Sequence, residues 1–328
     1  MKQLIKRILR TAKPVIDLLL SPFTLLASIY FLVLKRMGLK QMRISRFIFY
    51  KVGVFPIIDH YYEPLSNPRH LTRPLSDDRN LPGMDFNIAG QLDLLSKFSF
   101  NDELKSIPLK AGAPLTYHYH NGSYESGDSE FLYNMVRWHK PRNIIEIGCG
   151  LSTLMIQRAV AKNTEEDPAR KTNHICVEPY EASWLEKLQV TVKRSKVEDL
   201  PLDFFGVLER GDFLFIDSSH VIRPQGDVLF EYLEILPVLK AGVIIHVHDI
   251  FSPKDYPREW VVDEGKIWTE QYLLEAFLAY NKSFRVIGAL NFLHHHHRAD
   301  LASKCPILAN EPDREPGAFW MEKVGNSA

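Results

Sequence analysis

The stretch that most constrains this chain is Asn143 to Thr153, which reads Asn-Ile-Ile-Glu-Ile-Gly-Cys-Gly-Leu-Ser-Thr. Asn143 to Ile147 has the apolar run of a buried parallel strand. Gly148 and Gly150 make a tight turn, and Leu151 to Val160 reads as a helix. A turn without side chains lets the backbone approach a ligand closely, at the positive end of a helix dipole. A second apolar run, His174 to Val177, ends in Glu178, an acceptor suited to a ribose diol. These features describe a nucleoside-binding α/β site.

A dinucleotide fingerprint needs a third glycine three residues after the second, and Thr153 stands there. The pattern Glu146-x-Gly148-x-Gly150 followed by Glu178 instead resembles the class I S-adenosylmethionine-dependent methyltransferases. The resemblance implies S-adenosylmethionine as cofactor. The turn bearing Glu146, Gly148, Gly150 and Ser152 would pass its methionine moiety, and Glu178 would hold its ribose. Val197 and Glu198, after a third strand, would meet the adenine edge, and Asp217 would face the cofactor from strand 4. Gly127 and Asp128, before the helix that leads to strand 1, are further candidates for closing over the methionine end.

The order of elements agrees with this. Helices are predicted over Phe86–Phe98, Asp128–His139, Ala182–Leu188, Asp227–Leu239 and Thr269–Tyr280. Strands are predicted over Val190–Lys193, Asp212–Ile216, Gly242–Val247, Phe284–Leu290 and Ala318–Lys323, besides the two already named. Such alternation requires a parallel sheet covered on both faces. The expected fold is therefore α/β. The resemblance, which spans about Gly127 to Lys323, makes it a Rossmann-like seven-stranded methyltransferase sheet, mostly parallel with an antiparallel last strand.

Two acids follow central strands directly, Asp217 in Ile216-Asp217-Ser218-Ser219-His220 and Asp249 in His246-Val247-His248-Asp249. The ends of neighbouring strands converge where ligands bind in such sheets. Close carboxylates repel, and a divalent cation is the simplest neutraliser; oxygen ligands with water suit Mg²⁺. His220 could accept a proton from a substrate hydroxyl. The arrangement looks like that of the metal-dependent macrocin-type sugar O-methyltransferases. That resemblance implies Asp217, His248 and Asp249 as metal ligands and His220 as the base, with the histidine ligand leaving a softer metal open. The alternative is that Asp217 caps the following helix and Asp249 hydrogen-bonds backbone amides. His294 to His297 reads as a solvent-exposed loop, with a substrate or metal contact as the alternative. Trp260 suits packing as well as a sugar platform.

Charge separates the N-terminus from the rest. The formal net charge is zero, yet residues 1–51 hold eleven Lys/Arg and one Asp, and the remainder holds 29 basic against 39 acidic residues. An acidic body argues against a nucleic-acid substrate. Leu18 to Leu34 carries no charge and lies between basic flanks. Seventeen residues is the lower limit for a span, and a helix in the cytoplasmic interface, held by anionic lipid, accommodates both flanks. A packed soluble helix is the alternative. The expected organisation is a membrane-associating segment over 1–51, a connecting arm and helices over 52–126, and a methyltransferase domain over 127–328. Three unpaired cysteines fit a reducing compartment, here the cytoplasm. The favoured function is O-methylation of a hydroxyl, on a small molecule or a glycan such as the sugar of a glycolipid or polysaccharide. A nicotinamide oxidoreductase and a non-catalytic membrane adaptor are the competing classes.

Overall fold

The computed structural model describes residues 2–65 and 67–325. The chain divides into two compact units, one up to Leu71 and one from Thr72 onward.

In the first unit, α1 runs from Lys2 to Met37 and continues through Pro14 and Pro22. Its stretch Ala12–Met37, 26 residues, is long and apolar enough to cross a membrane by length and composition. Leu18, Leu19, Phe23, Leu25 and Leu26 are all exposed. Helix α2 (Arg43–Val52) ends at Gly53, whose left-handed backbone lets its N–H cap the Phe49 carbonyl. Phe49 is buried against Phe31 and Phe55, and Lys35 pairs with Glu63. Tyr61 and Tyr62 are exposed.

The second unit is built on a seven-stranded sheet in the order β3-β2-β1-β4-β5-β7-β6. The strands are β1 (Asn143–Ile147), β2 (Asn173–Val177), β3 (Thr191–Lys193), β4 (Phe213–Ile216), β5 (Ile244–Val247), β6 (Phe284–Ala289) and β7 (Phe319–Lys323). The first five pair in parallel, and β7 runs antiparallel to both β5 and β6. The expected sheet, with its antiparallel last strand, is the one observed.

Helices α3 (Ile88–Ser96), α4 (Asn101–Lys105), α5 (Asp128–His139) and α6 (Leu151–Glu166) precede or follow β1. Alternate strand residues face opposite cores. Ile144, Phe213 and Phe215 pack with Phe131, Met135 and Met155 of α5 and α6. Ile145, Leu214 and Ile216 pack with Val228, Tyr232 and Leu274 on the other face. Burial on both faces is why the strands read as unbroken apolar runs. The long helix expected at Asp227–Leu239 is α7 (Asp227–Phe230), a π turn at Glu231–Ile235 and α8 (Leu236–Val238). Helix α9 (Glu270–Leu278) follows β5.

Three expectations need correction. Ala182–Leu188 is not a helix beyond one 3₁₀ turn at Leu185–Lys187. Leu290 does not extend β6 but opens α10 (Leu290–His296), followed by α11 (Arg298–Ala302). The histidine run is therefore helical over most of its length rather than a loop, and His294 is buried. Its neighbours Leu290 and Leu293 are apolar and buried, so the helical face that holds them also takes His294 inward.

Candidate active site

Beta-strand order reverses between β1 and β4, the switch point at which open α/β sheets bind ligands. A cleft of about 920 Å³ opens there, lined by Gly148, Cys149, Gly150, Glu178, Val197, Glu198 and Asp217, among others. Gly148 has a φ of +74° and lies against the next strand end. A Cβ on it would sit 1.8 Å from the Asp217 carbonyl oxygen, so no side chain fits. Gly150 differs, since a Cβ there would meet no protein atom within 4 Å. Its missing side chain leaves open space at the cleft.

Glu146 does not line the cleft. Its buried carboxylate accepts from Ser152 Oγ at 2.6 Å and Thr153 Oγ1 at 2.9 Å, and its Oε2 lies 2.8 Å from His174 Nε2. Gly150 N–H in turn donates to Thr153 Oγ1 at 3.2 Å. Glu146 thus fixes the turn from behind, and the threonine at the third-glycine position is part of that anchor. Ser152 borders the cleft with its hydroxyl turned to Glu146.

Glu178 is positioned by its own loop. Its Oε1 accepts from the N–H groups of Tyr180 and Glu181 at 2.8 Å each, and Oε2 lies 3.4 Å from Cys149 N. One oxygen is thereby committed to the backbone and the other is aimed at the glycine turn. Val197 and Glu198 lie in a 3₁₀ turn, Val197–Asp199, at the cleft's far wall. Ser123 and Tyr124, from the segment before α5, also line the cleft and carry no local sequence signal. Gly127 and Asp128 do not line it. A Cβ on Gly127 would meet Pro316 and Leu308, and Asp128 accepts from Ala318 N at 2.7 Å, tying α5 to the approach to β7.

The second constellation converges beside this cleft. Ligand-type atoms of Asp217, His220 and Asp249 lie within 4.8 Å of one another. His220 Nε2 is 3.3 Å from Asp217 Oδ1 and 3.6 Å from Asp249 Oδ2, while Nδ1 is 2.8 Å from Glu270 Oε2. Burial opposes charge on His220, but Asp217 and Glu270 outweigh it and hold its pKa well above the ordinary value. Tyr232 donates to Glu270 at 3.2 Å, and the Trp268 ring lies 4.3 Å from that of His220. Asp227 accepts from both the N–H and the hydroxyl of Ser219, fastening the loop that carries His220. Both His220 and Asp249 adopt left-handed backbone, with φ of 60° and 58°. Such strain in non-glycine residues gathers at functional sites.

His248 stands outside this trio. It is buried beside Tyr124, with rings 4.9 Å apart, its Nδ1 has no partner, and Nε2 is 3.5 Å from Asp249 Oδ1. Glu270 and Asp227 were not visible in the sequence as site residues, because each reaches the loop from a helix. Trp260 packs at 4.9 Å from Trp268 and 5.3 Å from Phe251, with Lys266 Nζ 4.1 Å over its ring.

Residues 145–250, from within β1 to just past β5, match a family model described as "Methyltransferase domain". That stretch holds the glycine turn, Glu178 and both constellation aspartates. The chain is also similar to an uncharacterized protein of Archaeoglobus fulgidus. The two are 26% identical over 179 residues, which is 51% of this chain and 77% of the relative. The match supports a methyltransferase domain and, with it, a transferase function.

Proposed function

We propose that the unit from Thr72 onward is an S-adenosylmethionine-dependent methyltransferase acting on an acceptor hydroxyl. The observation that carries the reading is the cleft at the β1/β4 switch point, where a bare Gly150 and the oriented Glu178 carboxylate face one space. Glu178 Oε2 would take the ribose hydroxyls, the turn Gly148–Gly150 the methionine end, and Val197 and Glu198 the adenine edge. The sulfonium methyl is already activated, so the chain has to align acceptor oxygen, methyl and sulfur.

The trio Asp217, His220 and Asp249 fits a divalent cation, either Mg²⁺ or, given an imidazole donor, a softer ion. The fit is supported by Glu270, whose carboxylate holds His220 Nδ1 and so leaves Nε2 to face the cation. A cation held there would polarise the acceptor oxygen and lower its pKa, so that its proton could pass to solvent water as the oxygen takes the methyl and the sulfonium leaves as a neutral thioether. His220 enters this proposal as a ligand in place of His248. Both of its ring nitrogens already face carboxylates, which leaves it poorly placed as a base. For the first unit we propose attachment of α1 to the cytoplasmic face of a membrane, with the sugar of a glycolipid or polysaccharide as the acceptor class.

Equilibrium dialysis tests the cofactor. Wild-type protein should retain S-adenosylmethionine and not NADH, and EDTA should leave that binding intact. A charge-assisted hydrogen bond contributes about 1.5–3 kcal/mol, so Glu178→Ala should weaken affinity by about 10- to 150-fold. Preferential NADH binding would reverse the assignment in favour of an oxidoreductase.

A further inference from the structure

The histidine run that ends α10 is not absorbed by the site above. His294 is buried, and its ring lies 5.1 Å from that of His295 at an interplanar angle of 86°. Glu315, on the segment entering β7, brings its Oε2 to 2.8 Å from His295 Nε2. Ligand-type atoms of His294, His295 and Glu315 all lie within 4.8 Å of one another. Asn291, one turn earlier on α10, donates from Nδ2 to Glu315 Oε2 at 2.8 Å and is 3.3 Å from the Pro316 carbonyl. Arg298 stands 3.4 Å from His294 Nε2, a long contact that a stronger ligand bond would displace.

We infer that His294, His295 and Glu315 form a zinc site, distinct from the Asp217/His220/Asp249 cluster, with a fourth position open to water. Two imidazoles and one carboxylate are a three-ligand set for Zn²⁺, and the partial exposure of His295 and Glu315 gives solvent the remaining place. Asn291 orients the Glu315 carboxylate by donating to it. Glu315 lies two residues before Gly317, whose carbonyl accepts from Ile250 N at 2.8 Å beside Asp249. Zinc would therefore fasten α10 to the strand-end segment that backs the second constellation. His296 pairs with Asp78 and His297 faces Asp300, so neither belongs to the set.

Zn²⁺ titration of metal-free, full-length protein against a chromophoric chelator tests this, with Co²⁺ absorption as a second readout. The titration is run in wild type and in the Asp217→Asn/Asp249→Asn variant, which separates the two clusters. One tight Zn²⁺ should persist in that variant, with the visible spectrum of four-coordinate Co²⁺. Glu315→Gln and His295→Gln, both at solvent-accessible positions, should abolish tight binding. Asn291→Ala should weaken it by about 10- to 100-fold. His296→Ala/His297→Ala should leave it unchanged. Tag-like chelation by the exposed imidazoles would show the opposite pattern, surviving Glu315→Gln and failing in His296→Ala/His297→Ala. That pattern, or no tight Zn²⁺ in the Asp217→Asn/Asp249→Asn variant, overturns the inference.

Discussion

Thr153, at the place of a dinucleotide fingerprint's third glycine, uses its hydroxyl to anchor the glycine turn. It accepts from Gly150 N–H and donates to Glu146, which is also held by Ser152 and His174. The buried His174 is the titratable member with the clearest consequence. Burial opposes its charge, but the Cys176 thiol and the Glu146 carboxylate raise its pKa to about 10. An unfolded histidine titrates near 6.5, so the stabilisation is complete below about 6.5 and is lost as pH rises through about 10. The urea midpoint of the wild type should therefore fall between about pH 7 and about pH 10 by more than that of His174→Gln. Equal slopes for the two proteins would show that the pair does not carry charge.

At the scale of elements, one side chain adds a polar clamp to the apolar packing of α5 on α6. Arg137 of α5 is 1% exposed and reaches Asn163 and Glu166 of α6 as well as Glu103 of α4. Its glutamate partners can hydrate if it is lost, whereas buried Asn163 cannot. Arg137→Met should lower unfolding free energy by about 1–3 kcal/mol in urea titration, and an unchanged midpoint would contradict the clamp. The strands were legible in the sequence because parallel strands buried on both faces leave continuous apolar runs, and Asp217 and Asp249 because each ends such a run. What stayed hidden depends on long-range approach. Ser123 and Tyr124 reach the cleft from ahead of α5, and Glu270 and Asp227 act from neighbouring helices on His220 and its loop. The inward turn of His294 follows from Leu290 and Leu293 sharing its helix, a period concealed by four identical polar residues.

Across the whole molecule, an N-terminus of net charge about +10 precedes a body of about −10, and the boundary between compact units falls at Leu71/Thr72. Full-length protein should co-sediment with anionic vesicles, and high salt should release part of it if α1 lies in the interface. Removing residues 1–71 should leave the protein in the supernatant with its S-adenosylmethionine affinity unchanged. A monomeric full-length protein that ignores vesicles would refute the anchor. The cleft itself is best tested at Gly150, where added atoms meet ligand space and not protein. Calorimetric titration of Gly150→Val with S-adenosylmethionine, beside a thermal melt, should show a cooperative melt and no binding. Undiminished binding by that variant, or none by the wild type, would contradict the assignment of this cleft to the cofactor.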